Sequence, residues 1–420
     1  MMHRARSLFL KLGPGLLYAG AAIGVSHLVQ STRAGASYGF QLVWVIFLAN
    51  ILKYPVLELG PRFAAVTGKD LVDGYYDLGK SALVGFILLN LASMFIGIAT
   101  IILVTGGLFQ SVLHLPFHFT LWCLLIQVIC CAILLFGRYE ILNQVNKYVV
   151  LMLSLSTIVA FLLVFFSSDG QNYSVESNSF SFDNQADLYF LLAFMGWMPA
   201  PMEVSVWHSM WTIENSKTMG EKKLSLKDVL FDFKVGFWGT IFMALAFVGL
   251  GSILMYGNSE SFSFAPVPFA GQLISLYTKS IGDWAYPIVG FATIGAMFST
   301  VLTCMDAYPR VLEKSFRLLS SKPAAAEKNS FRNYFLWLIL INMGAFGIIC
   351  CFFNSMNSLV DFTTCLAFLS APILAGLNIL CCRKFSHIKG MQHSSFLKFL
   401  SFLGILYLVG FSAYYLSTLF

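Results

Sequence analysis

Seven ionisable side chains lie deep inside apolar stretches of this sequence and need a reason to be there: His27, Lys53, Glu58, Glu203, His208, Asp306 and Asp361. Taking a charge out of water is costly, so such residues are kept where they bind, pair or carry protons. A carboxylate such as Glu203 attracts a cation, and an imidazole such as His208 exchanges a proton near neutral pH. Glu203 precedes His208 by five residues, which puts the two on different sides of a regular helix. They do not form a simple pair. Glu58 and Arg62 are four residues apart and read, with Lys53, as structural groups toward the inner end of a span. Asp306 and Arg310 have the same spacing; they suit a salt bridge gating the inner side and equally an inert interfacial pair.

Candidate metal donors are the His27 nitrogen, the Glu203 carboxylate and the thioethers of Met198 and Met202. A thioether favours softer transition metals, although methionine is more often core filler. The nine cysteines fall in apolar stretches without CxxC spacing, which excludes a zinc or disulfide framework and suits small buried hydrophobes. There is no phosphate-binding glycine loop, serine elbow or HExxH motif, so an enzyme is not expected and neither is a cofactor.

These residues must be positioned by membrane helices. Of the 420 residues, 58% are hydrophobic and only 11% charged, against about 25% charged in soluble proteins. A transmembrane barrel alternates apolar and polar residues and would not reach this hydropathy. The net charge of +6 points to no nucleic-acid partner, because no soluble domain carries a basic face. Allowing about twenty apolar residues per span predicts helices at 11–33, 40–61, 83–110, 119–137, 146–166, 187–212, 233–257, 284–308, 334–353, 357–381 and 396–418. With the N-terminus inside, alternate loops hold 23 of the 26 Lys and Arg residues, as the positive-inside rule requires. That pattern predicts eleven spans, a cytoplasmic N-terminus, an external C-terminus and a multi-pass place in the plasma (inner) membrane of a bacterium. The basic N-terminus reads as a retained first helix rather than a cleaved signal peptide. The acidic stretch 167–187 reads as an outer loop and 321–330 as a short linker.

Eleven spans leave ten for a five-plus-five inverted repeat, with repeat one at about 11–166, repeat two at about 187–381 and an extra helix at 396–418, all in one transmembrane domain. Such repeats carry broken helices at corresponding places. Helix one contains Gly13, Pro14 and Gly15, then Gly24, Ser26 and His27. Helix six contains Gly196, Pro199, Pro201 and Glu203. Prolines two residues apart interrupt a helix, and the freed backbone is tolerated only in a cavity or inside protein. A midplane binding site between the two breaks is expected, taking in Gly24, His27, Met198, Pro201 and Glu203.

The stretch from Gly13 to Gly15, then Ala34 to Ala36, Tyr38, Gly39, Trp44, Asn50 and Val66 to Leu71 resembles the natural resistance-associated macrophage protein (Nramp) family of proton-coupled divalent metal transporters. His208 and Ser209 are similar to the end of that family's sixth helix. The resemblance implies a LeuT-type fold of eleven or twelve helices. It also implies departures. The family's Asp-Pro-Gly-Asn motif falls on Gly24 to His27, so the carboxylate is lost, and its proton-accepting aspartate falls on Ser31. In the ungapped register Met198 takes the place of a backbone-carbonyl ligand, Pro201 that of the methionine and Glu203 that of the histidine of MPH. A second register matches Met198 and Pro199 to the MP pair, with a three-residue insertion before His208.

The expectation is a secondary transporter of divalent metal ions (manganese or iron type) with a site rebuilt on His27 and Glu203, and with His208 carrying the coupled proton. The alternatives are a transporter of a small organic solute, an amine or amino acid, and a relative that transports nothing. The expected partners are the lipid bilayer, a small cation or solute, and protons.

Overall fold

The computed structural model describes residues 13–136, 139–167, 179–218, 225–257, 262–320, 329–352 and 355–418. The described chain is helical with no strand. Its first span is three consecutive pieces: α1 (Pro14–Ala22), the π-helical α2 (Val25–Ser31) and α3 (Thr32–Tyr38). Then come α4 (Val43–Thr67), the short α5 (Leu71–Leu78), α6 (Lys80–Leu113), α7 (Phe119–Phe136) and α8 (Tyr139–Ser167). The sixth span is also divided, into α9 (Gln185–Gly196) and α10 (Val204–Thr218). There follow α11 (Leu226–Met255), α12 (Pro266–Ile281), α13 (Tyr286–Leu319), α14 (Ser330–Phe352), α15 (Met356–Lys384) and α16 (Ser395–Ser417).

The spans fall where the hydropathy put them, while the short α5, the sixteen-residue α12 and the first seven residues of α11 were not expected. Among the described residues seven unbroken helices are long and apolar enough to cross a membrane. With α7, α8 and the two divided spans they make eleven. Large apolar side chains such as Phe166, Phe242, Met343 and Phe396 point outward, as helices facing lipid on one side and protein on the other require. The chain is an integral membrane protein. The expected eighth helix stopped at 308, whereas α13 runs to Leu319. Hydropathy misses that extension because it is amphipathic and charged; Asp306 to Arg310 and Glu313 to Arg317 are bonded four residues apart along it. Most of the expected loop 167–187 and of the linker 321–330, and the basic groups Arg4, Arg6 and Lys11, lie outside the described residues.

The start of α1 shows why Gly13, Pro14 and Gly15 stand together. The first amides of a helix have no partner within it. Here the Asp232 carboxylate on α11 accepts from Gly13 N at 3.1 Å and from Gly15 N at 2.7 Å, while Pro14 has no amide to satisfy. For that contact α1 and α11 must touch backbone to backbone. A Cβ on Gly15 would lie 2.0 Å from the Asp232 carbonyl, and one on Gly236 would lie 2.0 Å from the Gly15 carbonyl.

A second junction lies at Val66 to Leu71. Gly68 ends α4 at φ +69°, a left-handed conformation that glycine adopts without strain. Two residues on, Asp70 caps α5 in a capping box with Asp73. This tight reversal turns α5 under the helices, where Ser209 of α10 accepts from the amide of Leu71 at 2.9 Å.

The α1 to α11 contact makes a stability prediction. Gly15→Val has no room against the Asp232 main chain and is expected to abolish the monodisperse folded peak in fluorescence-detected size exclusion. A normal peak would show that the two helices can separate at no cost.

Candidate functional site

Both expected breaks are present, and each is lined by buried residues. In helix one, the regular turn of α1 closes with Ile23 N bonding the Ala19 carbonyl. Gly24 then turns the chain and α2 begins. Gly24 packs on Thr300 of α13, where a Cβ would come within 2.7 Å of the threonine methyl. The Thr300 hydroxyl lies 2.8 Å from the Gly20 carbonyl and 3.0 Å from the Ala296 carbonyl. One side chain thus ties a carbonyl of the divided helix to α13.

His27 turns back onto the break. Its Nδ1 is 2.7 Å from the Ala22 carbonyl and 2.7 Å from Ser26 Oγ, and the Ser26 hydroxyl itself bonds Ala22 O at 2.5 Å. Nε2 is buried and makes no hydrogen bond among the described residues. The imidazole therefore closes the freed end of α1 with one nitrogen and holds the other in the protein interior.

In helix six, α9 ends at Gly196 and α10 begins at Val204. Between them Met198 is fully buried and Pro201 half-buried. Gly196 packs so tightly on the Thr364 main chain of α15 that a Cβ would lie 1.9 Å from its carbonyl. Glu203 sits just before α10, where an anion is favoured by the helix dipole. Its carboxylate accepts from Ser93 of α6 at 2.6 Å and from Tyr308 of α13 at 2.9 Å. It links the break to two other spans.

The structure brings these residues to the two breaks and separates their partners. His27 is bonded to α1, whereas Glu203 is bonded to α6 and α13, and no hydrogen bond joins them. Among the described residues no three His, Cys, Asp or Glu side chains cluster as a metal would require. His208 lies one turn into α10, enclosed by the rings of Tyr18, Trp211 and Phe233 at 5.9, 6.5 and 5.5 Å between centroids. Both its nitrogens, and the Tyr18 hydroxyl, are buried without hydrogen-bond partners among the described residues. Buried polar atoms are nearly always satisfied, so this cage is a place where a proton or water would find unfilled partners.

Asp306 and Arg310 form the expected ion pair at 2.7 Å. Both are on α13, well before its end, and the Tyr334 hydroxyl of α14 donates to Asp306 at 2.9 Å. Glu58 and Arg62 pair at 2.5 Å as anticipated.

Three groups were missed or misread. Lys53, expected toward the inner end of its span, instead caps the break: its Nζ donates to the carbonyls of Met195 and Gly196 at 2.7 and 3.0 Å. Arg33 of α3 reaches Asp361 of α15 with both guanidinium nitrogens, at 2.7 and 3.0 Å, and Gln30 donates to the same carboxylate at 2.8 Å. Lys314 of α13 is held by Asp70 at 2.5 Å and Asp73 at 2.6 Å. Each of the three joins segments that are remote in sequence. No spacing rule reaches such pairs; for Lys53 and Arg33 the only signal was a charge in an apolar stretch, and Lys314 had none.

The network around Glu203 sets an expected cost. Glu203→Ala leaves the Ser93 and Tyr308 hydroxyls without their acceptor and should lower stability by about 2 kcal/mol, read as a fall in melting temperature in detergent. Glu203→Gln, which keeps a carbonyl acceptor, should lose less. Equal losses would mean that packing, and not the hydrogen bonds, is what Glu203 provides.

Residues 15–418 match the family model described as natural resistance-associated macrophage protein-like. An uncharacterised protein of Pasteurella multocida is 33% identical over 413 residues, 98% of this chain and 93% of that protein. A divalent metal cation transporter, MntH, of Listeria welshimeri is 28% identical over 165 residues, 39% of this chain and 35% of its own. Among solved structures, a manganese transporter of Eremococcus coleocola superimposes with a TM-score of 0.61 at 11% identity, covering 98% of this chain and 94% of that one. A Na+-coupled sialic acid symporter in an outward-open state superimposes at 0.63 and 13% identity, covering 96% and 88%. At such identities the two structures speak for the fold alone, which is the LeuT type.

Proposed function

The chain belongs to the Nramp family, as a divergent member without the Asp-Pro-Gly-Asn and MPH motifs, and from that premise we propose that it is a secondary transporter of divalent metal ions. The observation that carries the reading is the family match running from 15 to 418 over a chain whose first and sixth helices are both interrupted. In this reading the ion passes between the breaks, near Gly24, His27, Met198, Pro201 and Glu203. His27 offers Nε2, and the unwound segments offer carbonyl oxygens. Glu203 supplies the negative charge by giving up one of its two hydroxyl partners. An imidazole with oxygen donors suits manganese, iron, cobalt or zinc.

The divided spans belong to two inverted repeats, about 11–166 and 187–381, followed by the extra helix 396–418. Ion pairs at two places sit where closing contacts are needed. Arg33 to Asp361 joins α3 to α15 on one side of the breaks, and Lys314 to Asp70 and Asp73 joins α13 to α5 on the other. Opening one while the other holds gives alternating access. Asp306 and Arg310 support the second closure by fixing α13 to α14 through Tyr334. In this reading the Lys314 side faces the cytoplasm of a bacterium and the C-terminus lies outside, which the concentration of Lys and Arg in alternate loops supports. Protons are coupled through His208 of α10, whose ring packs on Tyr18 of α1 and Phe233 of α11 and whose unprotonated nitrogen, with no hydrogen-bond partner among the described residues, accepts the proton.

Proteoliposomes containing the purified chain should accumulate manganese, and an inward proton gradient should speed uptake. If manganese, iron, zinc and cobalt all fail to enter, the metal reading is lost. An amino acid that stabilises the protein regardless of chelator would then favour an organic solute. His208→Gln is expected to remove the dependence on the proton gradient while leaving manganese binding, measured by calorimetry, within about twofold. Loss of binding instead would move His208 into the substrate site.

A further inference from the structure

Lys53 lies in the middle of α4 and is fully buried, yet among the described residues no carboxylate pairs with it. Its Nζ is held by the carbonyls of Met195 and Gly196, the last two residues of α9, and stands 5.8 Å from the centroid of the Phe368 ring on α15. Each of these surroundings suits a cation. The last carbonyls of a helix have no partner within it and carry the negative end of its dipole. The face of an aromatic ring is negative as well. Two carbonyls and a ring face in a water-poor interior form a cradle for a cation, and carbonyl oxygens are donors that hold hard cations.

The cradle is filled by the protein's own ammonium. We propose that Lys53 is a specificity-determining residue: its tethered charge occupies the carbonyls of Met195 and Gly196 at the helix-six break, so a free cation binds there more weakly than it would without the lysine. The inference rests on the reading above that substrate passes between the two breaks. It gives a role to a charge which an ordinary helix cap would not need. A serine or threonine hydroxyl can also close a freed carbonyl, as Thr300 does at the other break, and at far smaller desolvation cost than an ammonium.

The test is calorimetry of manganese and sodium binding to the purified full chain, for the natural protein, Lys53→Ala and Lys53→Gln. Alanine empties the cradle; glutamine keeps an N–H donor for the carbonyls but no charge. Lys53→Ala is expected to bind manganese or sodium at least tenfold more tightly than the natural chain, or to bind where the natural chain does not. Lys53→Gln should shift affinity in the same direction by less. Unchanged or weaker binding of both ions in the variants would reduce Lys53 to a structural cap and overturn the proposal. Where the alanine variant is not monodisperse, the glutamine variant alone decides, by the same criterion. Failure of the metal reading is separable: the natural chain would then take up no metal into vesicles, whatever the ratio of affinities between it and its variants.

Discussion

A helix that is interrupted inside a bilayer must find partners for every carbonyl and amide it frees, because no water is present to take them. Several of the buried polar side chains of this protein answer that requirement. At the first break Thr300, Ser26 and His27 gather on the carbonyls of Gly20 and Ala22. At the second, Lys53 takes the carbonyls of Met195 and Gly196, while Glu203 stands at the positive start of α10. Asp232 does the same for the first amides of α1.

Apart from Ser26 and His27, the partners come from other spans, so the breaks also hold the bundle together. Thr300 and Tyr308 lie two turns apart on α13, and between them they touch both breaks. Ser93 brings in α6, Lys53 brings in α4, and Thr364 and Phe368 bring in α15. A movement at either break therefore disturbs contacts with neighbouring helices rather than with solvent. That is the physical basis for a few discrete arrangements instead of continuous deformation.

The ion pairs fall into two kinds. Glu58 with Arg62 and Asp306 with Arg310 are each within one helix and change little when helices move. Arg33 with Asp361, and Lys314 with Asp70 and Asp73, cross between segments and must break if those segments part. The first kind is visible in any sequence read at a spacing of four. The second is not, since Arg33 and Asp361 are separated by 328 residues.

What the sequence alone determined was everything that depends on composition and local spacing. Eleven apolar runs, the basic loops between them and the prolines of helix six prescribe a membrane bundle with two interrupted spans, because hydrophobic length and proline geometry act within twenty residues. The departures at Gly24, Ser31 and Pro201 were legible from the resemblance of the sequence to the Nramp family. Only the tertiary structure decided which carboxylate faces which donor. It drew Glu203 to Ser93 and Tyr308 and kept His27 at the end of α1. It moved Lys53 from the edge of a span to the carbonyls at its centre, and extended α13 past its apolar run. These outcomes depend on the directions in which side chains leave packed helices, and a linear pattern does not encode which helix will stand opposite.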